Sequence, residues 1–427
     1  MRSTCRWRFA SACTRIARRP RWARIVLIAK LYPMPIKNRF AELLPEIIGW
    51  RRDFHRHPEL GYDLPRTSAR VAQLLRAFGC DEVVEGIGRS GVVGVIEGQE
   101  VATKGAKGPR VIGLRADMDA LPIVEQTGLE HASQSKGKMH ACGHDGHTSM
   151  LLGAAKYLCE TRAFAGRAVV IFQPAEEGGA GARAMIEDGL MERFAIDEVY
   201  GLHNMPGMEA GHLGVRPGAM MASADFFTIR VIGKGGHAAK PQEVTDPVVI
   251  SAQLILALQS IASREVDPFD PVVVSVTTLN SQSEADNVIG NEVMLGGTVR
   301  AMSAETRDLA ERRLGEISHG VATTYGGQAQ VEYLRGYPVT VNDVECAEHA
   351  ARVAERVNGA VDRDVAPMMG AEDFSYMLEA RPGAYLFLGN GDSAPLHHAQ
   401  YEFHDEAIPY GASWLVGMVE DRLAAPS

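Results

Sequence analysis

From Phe40 to Phe54, apolar residues recur at 40, 43, 44, 47, 50 and 54 while Arg51, Arg52 and Asp53 take the opposite side, which predicts an amphipathic helix. A second helix is expected from Ser68, with Val71, Leu74, Leu75 and Phe78 inward and Gly79 placed to end it. The stretch between them, Phe54 to Gly61, reads as a loop whose His55 and His57 are structural. Four continuous apolar runs, at Val92–Ile96, Val111–Leu114, Ala168–Phe172 and Val199–Leu202, have the character of strands buried on both faces. Between the second and third, Leu151, Ala154, Ala155 and Leu158 are spaced as on a buried helix. Near Ala222 the rhythm changes. Strand 226–232, helix 247–261, strands 272–279 and 292–300, helix 304–324 and strand 328–334 follow in the order β-α-β-β-α-β. The first pattern then resumes with strand 384–388 and a closing helix from about Glu406 that carries Trp414, Val416 and Leu423.

This order predicts an α/β protein: a doubly wound domain, discontinuous in sequence, with an inserted ferredoxin-like (βαββαβ) lid or dimerisation domain. The expected divisions are 34–221 and 336–427 for the two parts of the catalytic domain and 222–335 for the insert, after an N-terminal extension over 1–33. Three of the apolar strands run directly into polar residues: Asp117-Met118-Asp119, Glu176-Glu177 and His203-Asn204. Open α/β sheets carry their functional groups at such strand ends. Gly86-Ile87-Gly88-Arg89-Ser90-Gly91 matches a dinucleotide fingerprint in letters only, because a strand and not a helix follows it.

Charge narrows the partners. The first 33 residues hold nine cations and no acid, which leaves 35 basic against 53 acidic residues in the remainder, a net charge of −18. A body so acidic is a poor partner for nucleic acid. The six cysteines of the whole chain form no paired motif and suit a reducing, cytoplasmic setting. No stretch is read as approaching the roughly 18 apolar residues of a membrane span, so no membrane partner is expected.

The chemistry centres on His140-Ala141-Cys142-Gly143-His144-Asp145-Gly146-His147. Cys142 and His144 are two apart and would leave one face of an extended segment, with a helix following from about Thr148. Together with Asp119, Glu176, Glu177, His203 and His397 they make a set of thiolate, imidazole and carboxylate suited to Zn, Mn, Co or Ni. Of the adjacent pair Glu176-Glu177, one carboxylate can bind metal while the other takes a proton from activated water. There is no Gly-x-Ser-x-Gly elbow to offer a serine nucleophile.

Six segments, Gly113–Pro122, His140–Asp145, Phe172–Gly178, Gly201–Asn204, Gly235–Ala239 and Gly370–Phe374, occur in the order seen in one family. The chain resembles the metallopeptidase-like amidohydrolases, which include hippurate hydrolases, N-acyl-amino-acid amidohydrolases and auxin-conjugate hydrolases, over about residues 36–420. The resemblance implies two divalent metal ions per subunit, held by Cys142, His144, Glu177, His203 and His397; His397 is preferred to His398 because Tyr401 and Asp405-Glu406 follow it as in the family's closing motif. It implies Glu176 as general base and acid, and Asp119 as the residue that orients a metal-binding histidine or the base. His237 would polarise the scissile carbonyl, reaching across to a partner subunit. Asn287 and Arg300, 13 residues apart, would bind the substrate, the guanidinium taking its carboxylate. The expected reaction is hydrolysis of an N-acyl or N-aroyl amino acid, by a homodimer assembled through the insert. Dipeptidase or carboxypeptidase activity on the same scaffold is the alternative, and a non-catalytic metal-binding or amino-acid-binding protein a more distant one. His57 and His147 are left without a metal role.

Overall fold

The computed structural model describes residues 38–99 and 110–424. The extension expected over 1–33 lies outside the described residues. The main sheet has seven strands, in spatial order Glu82–Ile87, Gly91–Glu97, Arg167–Gln173, Val111–Asp117, Glu198–Pro206, Gly383–Gly391 and Leu213–Gly214. Four of them, Arg167–Gln173, Val111–Asp117, Glu198–Pro206 and Gly383–Gly391, are mutually parallel, and the outer strands are antiparallel.

Both faces of this sheet are covered, which is why its strands read as unbroken apolar runs. Ile112, Leu114, Ala168, Val170, Phe172, Tyr200, Leu202, Leu386 and Leu388 enter one core with helices Asn38–Arg56, Pro65–Phe78, His144–Thr161, Val344–Asn358 and Ile408–Arg422. Their alternates Val111, Val169, Ile171, Val199, Tyr385 and Phe387 enter a second core with Met185, Leu190, Met191, Phe194 and Met377 on the other face. The period of two is thus present inside each run, with apolar side chains on both sides. From Val111–Asp117 the chain moves one strand outward to Arg167–Gln173 and then returns to the opposite side at Glu198–Pro206. The C-terminal ends of those strands flank the crevice where such a sheet reverses its order.

The second sheet has four antiparallel strands in the order Val272–Asn280, Glu292–Ala301, Asp225–Ile232 and Gln328–Arg335. With helices Pro247–Ser260 and Ala304–Thr324 it forms the βαββαβ insert, around its own core of Phe227, Ile229, Val231, Ile250, Leu254, Leu295 and Leu314. Local signals set its helices. Asp246 caps the first by accepting from Val248 N and Val249 N ahead of Pro247, and Ser303 caps the second through Thr306 N. Buried Asp225 receives Arg307, the Tyr333 hydroxyl and Gly336 N at the point where the insert leaves the main body.

Several boundaries differ from expectation. The opening helix runs to Arg56, so His55 is a buried helix residue and not part of a loop. Gly86–Gly91 forms a tight hairpin between two strands, with Gly88 and Arg89 at positive φ. The segment Pro247–Glu265 is long and apolar enough to pass a length-and-composition test for a membrane span. That corrects the expectation that no stretch comes close. Its inner side chains Ile250, Leu254, Leu258 and Ile261 are nevertheless packed in the core of the insert.

Candidate metal centre and catalytic site

Cys142 and His144 converge by a route the sequence spacing does not suggest. They do not share an extended segment: Gly143 takes φ +88° and His144 is the first residue of helix His144–Thr161. A left-handed residue there turns the chain sharply, and only glycine fits. A Cβ at 143 would lie 2.3 Å from Asn204 Nδ2 and 2.5 Å from the Tyr401 hydroxyl. Those two groups are themselves joined, Tyr401 donating to Asn204 Oδ1 at 2.6 Å and Asn204 Nδ2 donating to Cys142 O at 2.6 Å.

The histidines are oriented from behind. His144 Nδ1 donates to Asp119 O at 2.8 Å and His203 Nδ1 to Asn204 O at 2.7 Å. Both Nε2 lone pairs are therefore free to face the centre. His203 Nε2 lies 3.3 Å from Cys142 Sγ, and His397 Nε2 lies 3.3 Å from Glu177 Oε1. Cys142, His144 and His203 lie close enough to share an ion, as do Cys142, Glu177 and His397. His144 Nε2 is buried without a hydrogen-bond partner, the arrangement a divalent cation satisfies. The donor set fits such an ion. Burial, then the Glu177 carboxylate, pushes the Cys142 thiol well above its usual range, so a bound cation is what would hold it as thiolate. His397 adopts φ +63° and is pinned there by its backbone N–H to Ala141 O at 2.9 Å. His147 is spent within the protein: Nδ1 meets Asp117 at 2.7 Å and Nε2 accepts from Asn204 N at 3.0 Å. His57 bonds to the Asp53 carbonyl within its own helix turn region and takes no place among these groups.

Glu176 and Glu177 sit on the turn after strand Arg167–Gln173. Asp119 holds that turn, its carboxylate accepting from Glu176 N at 2.9 Å and Glu177 N at 3.2 Å while its carbonyl fixes His144. One residue thus orients both the Glu176-Glu177 turn and His144. The Glu176 carboxyl is buried and stands beside Glu372 and Asp373. Burial, and then the Glu372, Glu177 and Asp373 charges, push its pKa well above the ordinary carboxylate range. A carboxyl of that kind is suited to accept and return a proton near neutrality.

Sequence reasoning assigned no role to Arg115, Glu372 and Asp373. The Arg115 guanidinium is fully buried and reaches Asp117 at 2.7 Å, Glu372 at 2.9 Å, Asp373 at 3.0 Å and Gln173 at 2.8 Å. It gathers the carboxylates that would otherwise repel one another beside Glu176. Two of the quoted segments, Gly113–Pro122 and Gly370–Phe374, contain these residues; a charged side chain inside a strand buried on both faces was the available signal.

The centre opens into a cavity of about 760 Å³. Cys142, Glu176, Glu177, His203 and His397 lie on its floor, and Met205, Met221, Phe226, Met368 and Phe387 are among its apolar walls. Arg300 reaches it from strand Glu292–Ala301, half-buried, donating to Thr298 and Val299 O. His237 and Asn287 are elsewhere. They sit on a small two-stranded arm, Gly236–His237 against Val288–Ile289, with Asn287 O accepting from Ala238 N at 3.0 Å; both are exposed and neither lines the cavity. Asn287 and Arg300 therefore do not form one pocket within a single chain.

The pattern of peptidase family M20/M25/M40 matches residues 113–421. The chain belongs to this family. Hippurate hydrolase of Campylobacter jejuni is 42% identical to it over 87% of this chain and 97% of its own length. Thermostable carboxypeptidase 1 of Saccharolobus solfataricus is 38% identical, over 88% of this chain and 95% of its own. The Bacillus subtilis YXEP protein, described as a dinuclear metal binding peptidase from the M20 family, superposes with a TM-score of 0.78 at 32% identity, covering 90% of this chain and 99% of that one. Family membership and the converged donors make this protein a metal-binding amidohydrolase.

Proposed function

We propose that the protein hydrolyses N-acyl or N-aroyl amino acids to a carboxylic acid and a free amino acid, using two divalent ions held by Cys142, His144, Glu177, His203 and His397. The observation that carries this reading is the buried Glu176 carboxyl beside that donor set, at the floor of a cavity with apolar walls and a guanidinium at its side. Bound ions of the Zn, Mn, Co or Ni class supply Lewis-acid activation of water and of the scissile carbonyl. Glu176 takes the proton of the attacking water and delivers it to the departing nitrogen, its raised pKa suiting both transfers. Asp119 and Arg115 keep the carboxylates in place through these steps. Arg300 receives the substrate carboxylate through paired hydrogen bonds, while the methionine-rich wall accepts the acyl group and adapts to its shape.

His237 completes the site from a partner subunit in this account, with Asn287 beside it. In support, the arm that carries both is exposed, and helix Pro247–Ser260 turns Val248, Val249 and Leu256 outward beside the open edge strand Val272–Asn280. An apolar helix face next to an unpaired strand is suited to a second copy of the insert. We place the enzyme in the cytoplasm, on the pattern of its cysteines. Carboxypeptidase action is the second reading, favoured by the Saccharolobus relative, since Arg300 would accept a peptide C-terminus equally well. Release of amino acid from N-benzoylglycine, N-acetyl amino acids and dipeptides, compared as kcat/KM, separates the two; a clear preference for dipeptides would overturn the first.

A further inference from the structure

We propose that Tyr337 is a positioning residue for the reaction, tying the Glu176-Glu177 turn to the point where the insert rejoins the main body. Its hydroxyl donates to Glu176 O at 2.5 Å and accepts from Ala180 N at 3.2 Å, so one group bridges the two ends of the turn. The turn needs such a clamp. Ala175 and Ala180 both hold positive φ, +51° and +55°, a conformation non-glycine residues keep only when their surroundings impose it. Asp119 holds the turn's amides, and Tyr337 holds its carbonyl.

The tyrosine is itself placed by the crossing between domains. It follows Gln328–Arg335, the last strand of the insert, and its carbonyl accepts from Ala224 N at 2.9 Å, just before the insert's first strand. Gly336 N donates to buried Asp225 at 3.0 Å, and Gly336 O accepts from Arg307 at 3.0 Å and from the Tyr376 hydroxyl at 3.1 Å. The two crossings touch backbone to backbone, since a Cβ at Gly336 would lie 2.3 Å from Ala224 O. The Tyr337 hydroxyl is the direct link from this crossing to the backbone of Glu176. Burial raises the Tyr337 pKa, which keeps that hydroxyl a donor throughout the working pH range.

The proposal rests on the amide-hydrolysis reading, so wild type, Tyr337→Phe, Gly336→Ala and the double variant are compared on N-benzoylglycine and a dipeptide, with bound metal and melting temperature measured for each. Tyr337→Phe keeps the ring and removes only the bridge. Its kcat is expected to fall roughly 10- to 100-fold, the range for a small misplacement of a catalytic group, while KM, metal content and melting temperature stay near wild type. Gly336→Ala lowers kcat in the wild-type background and adds little to Tyr337→Phe, because the link it disturbs is already gone. A kcat for Tyr337→Phe equal to that of active wild type, a loss that follows loss of metal, or fully additive effects in the double variant would each overturn the proposal. A wild-type enzyme silent on both substrates would instead bring down the reading beneath it, and the proposal with it.

Discussion

At the scale of single residues, two adjacent carboxylates are given different surroundings. Glu177 stands against His397, while Glu176 is buried beside Glu372 and Asp373. Glu176→Gln keeps the shape and removes the proton acceptor, so metal content is expected to hold while kcat falls roughly 10²- to 10⁴-fold. Cys142→Ala acts on binding instead: elemental analysis after dialysis is expected to show metal lost, and a fully loaded variant would contradict the thiolate role. A buried group outside the centre sets a pH dependence. His55 contacts Asp145 at 2.9 Å and Glu125 at 3.4 Å, with Arg51, His131 and His140 also around it. Burial lowers its pKa, but Asp145 and Glu125 outweigh that and bring it to about 9. The protonated ring therefore contributes stability in full below pH ~6.5, and the contribution is lost as pH rises toward 9. His55→Gln should flatten the decline in melting temperature across that window; an unchanged slope would remove His55 as its source.

At the scale of elements, one glycine decides whether the centre forms. Gly143→Ala would place a methyl against Asn204 and Tyr401 at a backbone angle disfavoured by at least ~1 kcal/mol for any other residue. The expected result is lower stability together with weakened metal binding, both readable from calorimetry with and without metal. Much of this architecture was legible in the chain. Runs such as Ala168–Phe172 carry their own strand signal, and the polar residues just beyond them mark the edge where the site lies. The insert was legible because its strands and helices followed one another in the order β-α-β-β-α-β. The route of the chain through Gly143 was not, because a left-handed turn and an extended Cys-x-His segment share the same letters. Nor was the Arg115 cage. Its partners come from strands and loops more than 250 residues apart, as with Glu372 and Asp373, and sequence spacing carries no sign of such a meeting.

At the scale of the whole molecule, the site is divided between the sheet edge and the insert. The sheet edge supplies the candidate donors and the Glu176 carboxyl, the insert supplies Arg300, and His237, on the exposed arm, does not line the cavity. If a second copy delivers His237, Leu256→Glu on the outward face of helix Pro247–Ser260 should yield a monomer by sedimentation, with kcat reduced and bound metal unchanged. A variant that stays dimeric would move the interface elsewhere, and a fully active monomer would remove the need for His237 from a partner.

The most direct test of the central claim follows glycine release from N-benzoylglycine by protein stripped with chelator and then resupplied with Mn, beside Glu176→Gln treated identically. The account predicts release only after metal is restored, and next to none from the variant despite equal metal content. Release by stripped protein, or turnover by the loaded variant at the wild-type rate, would contradict it.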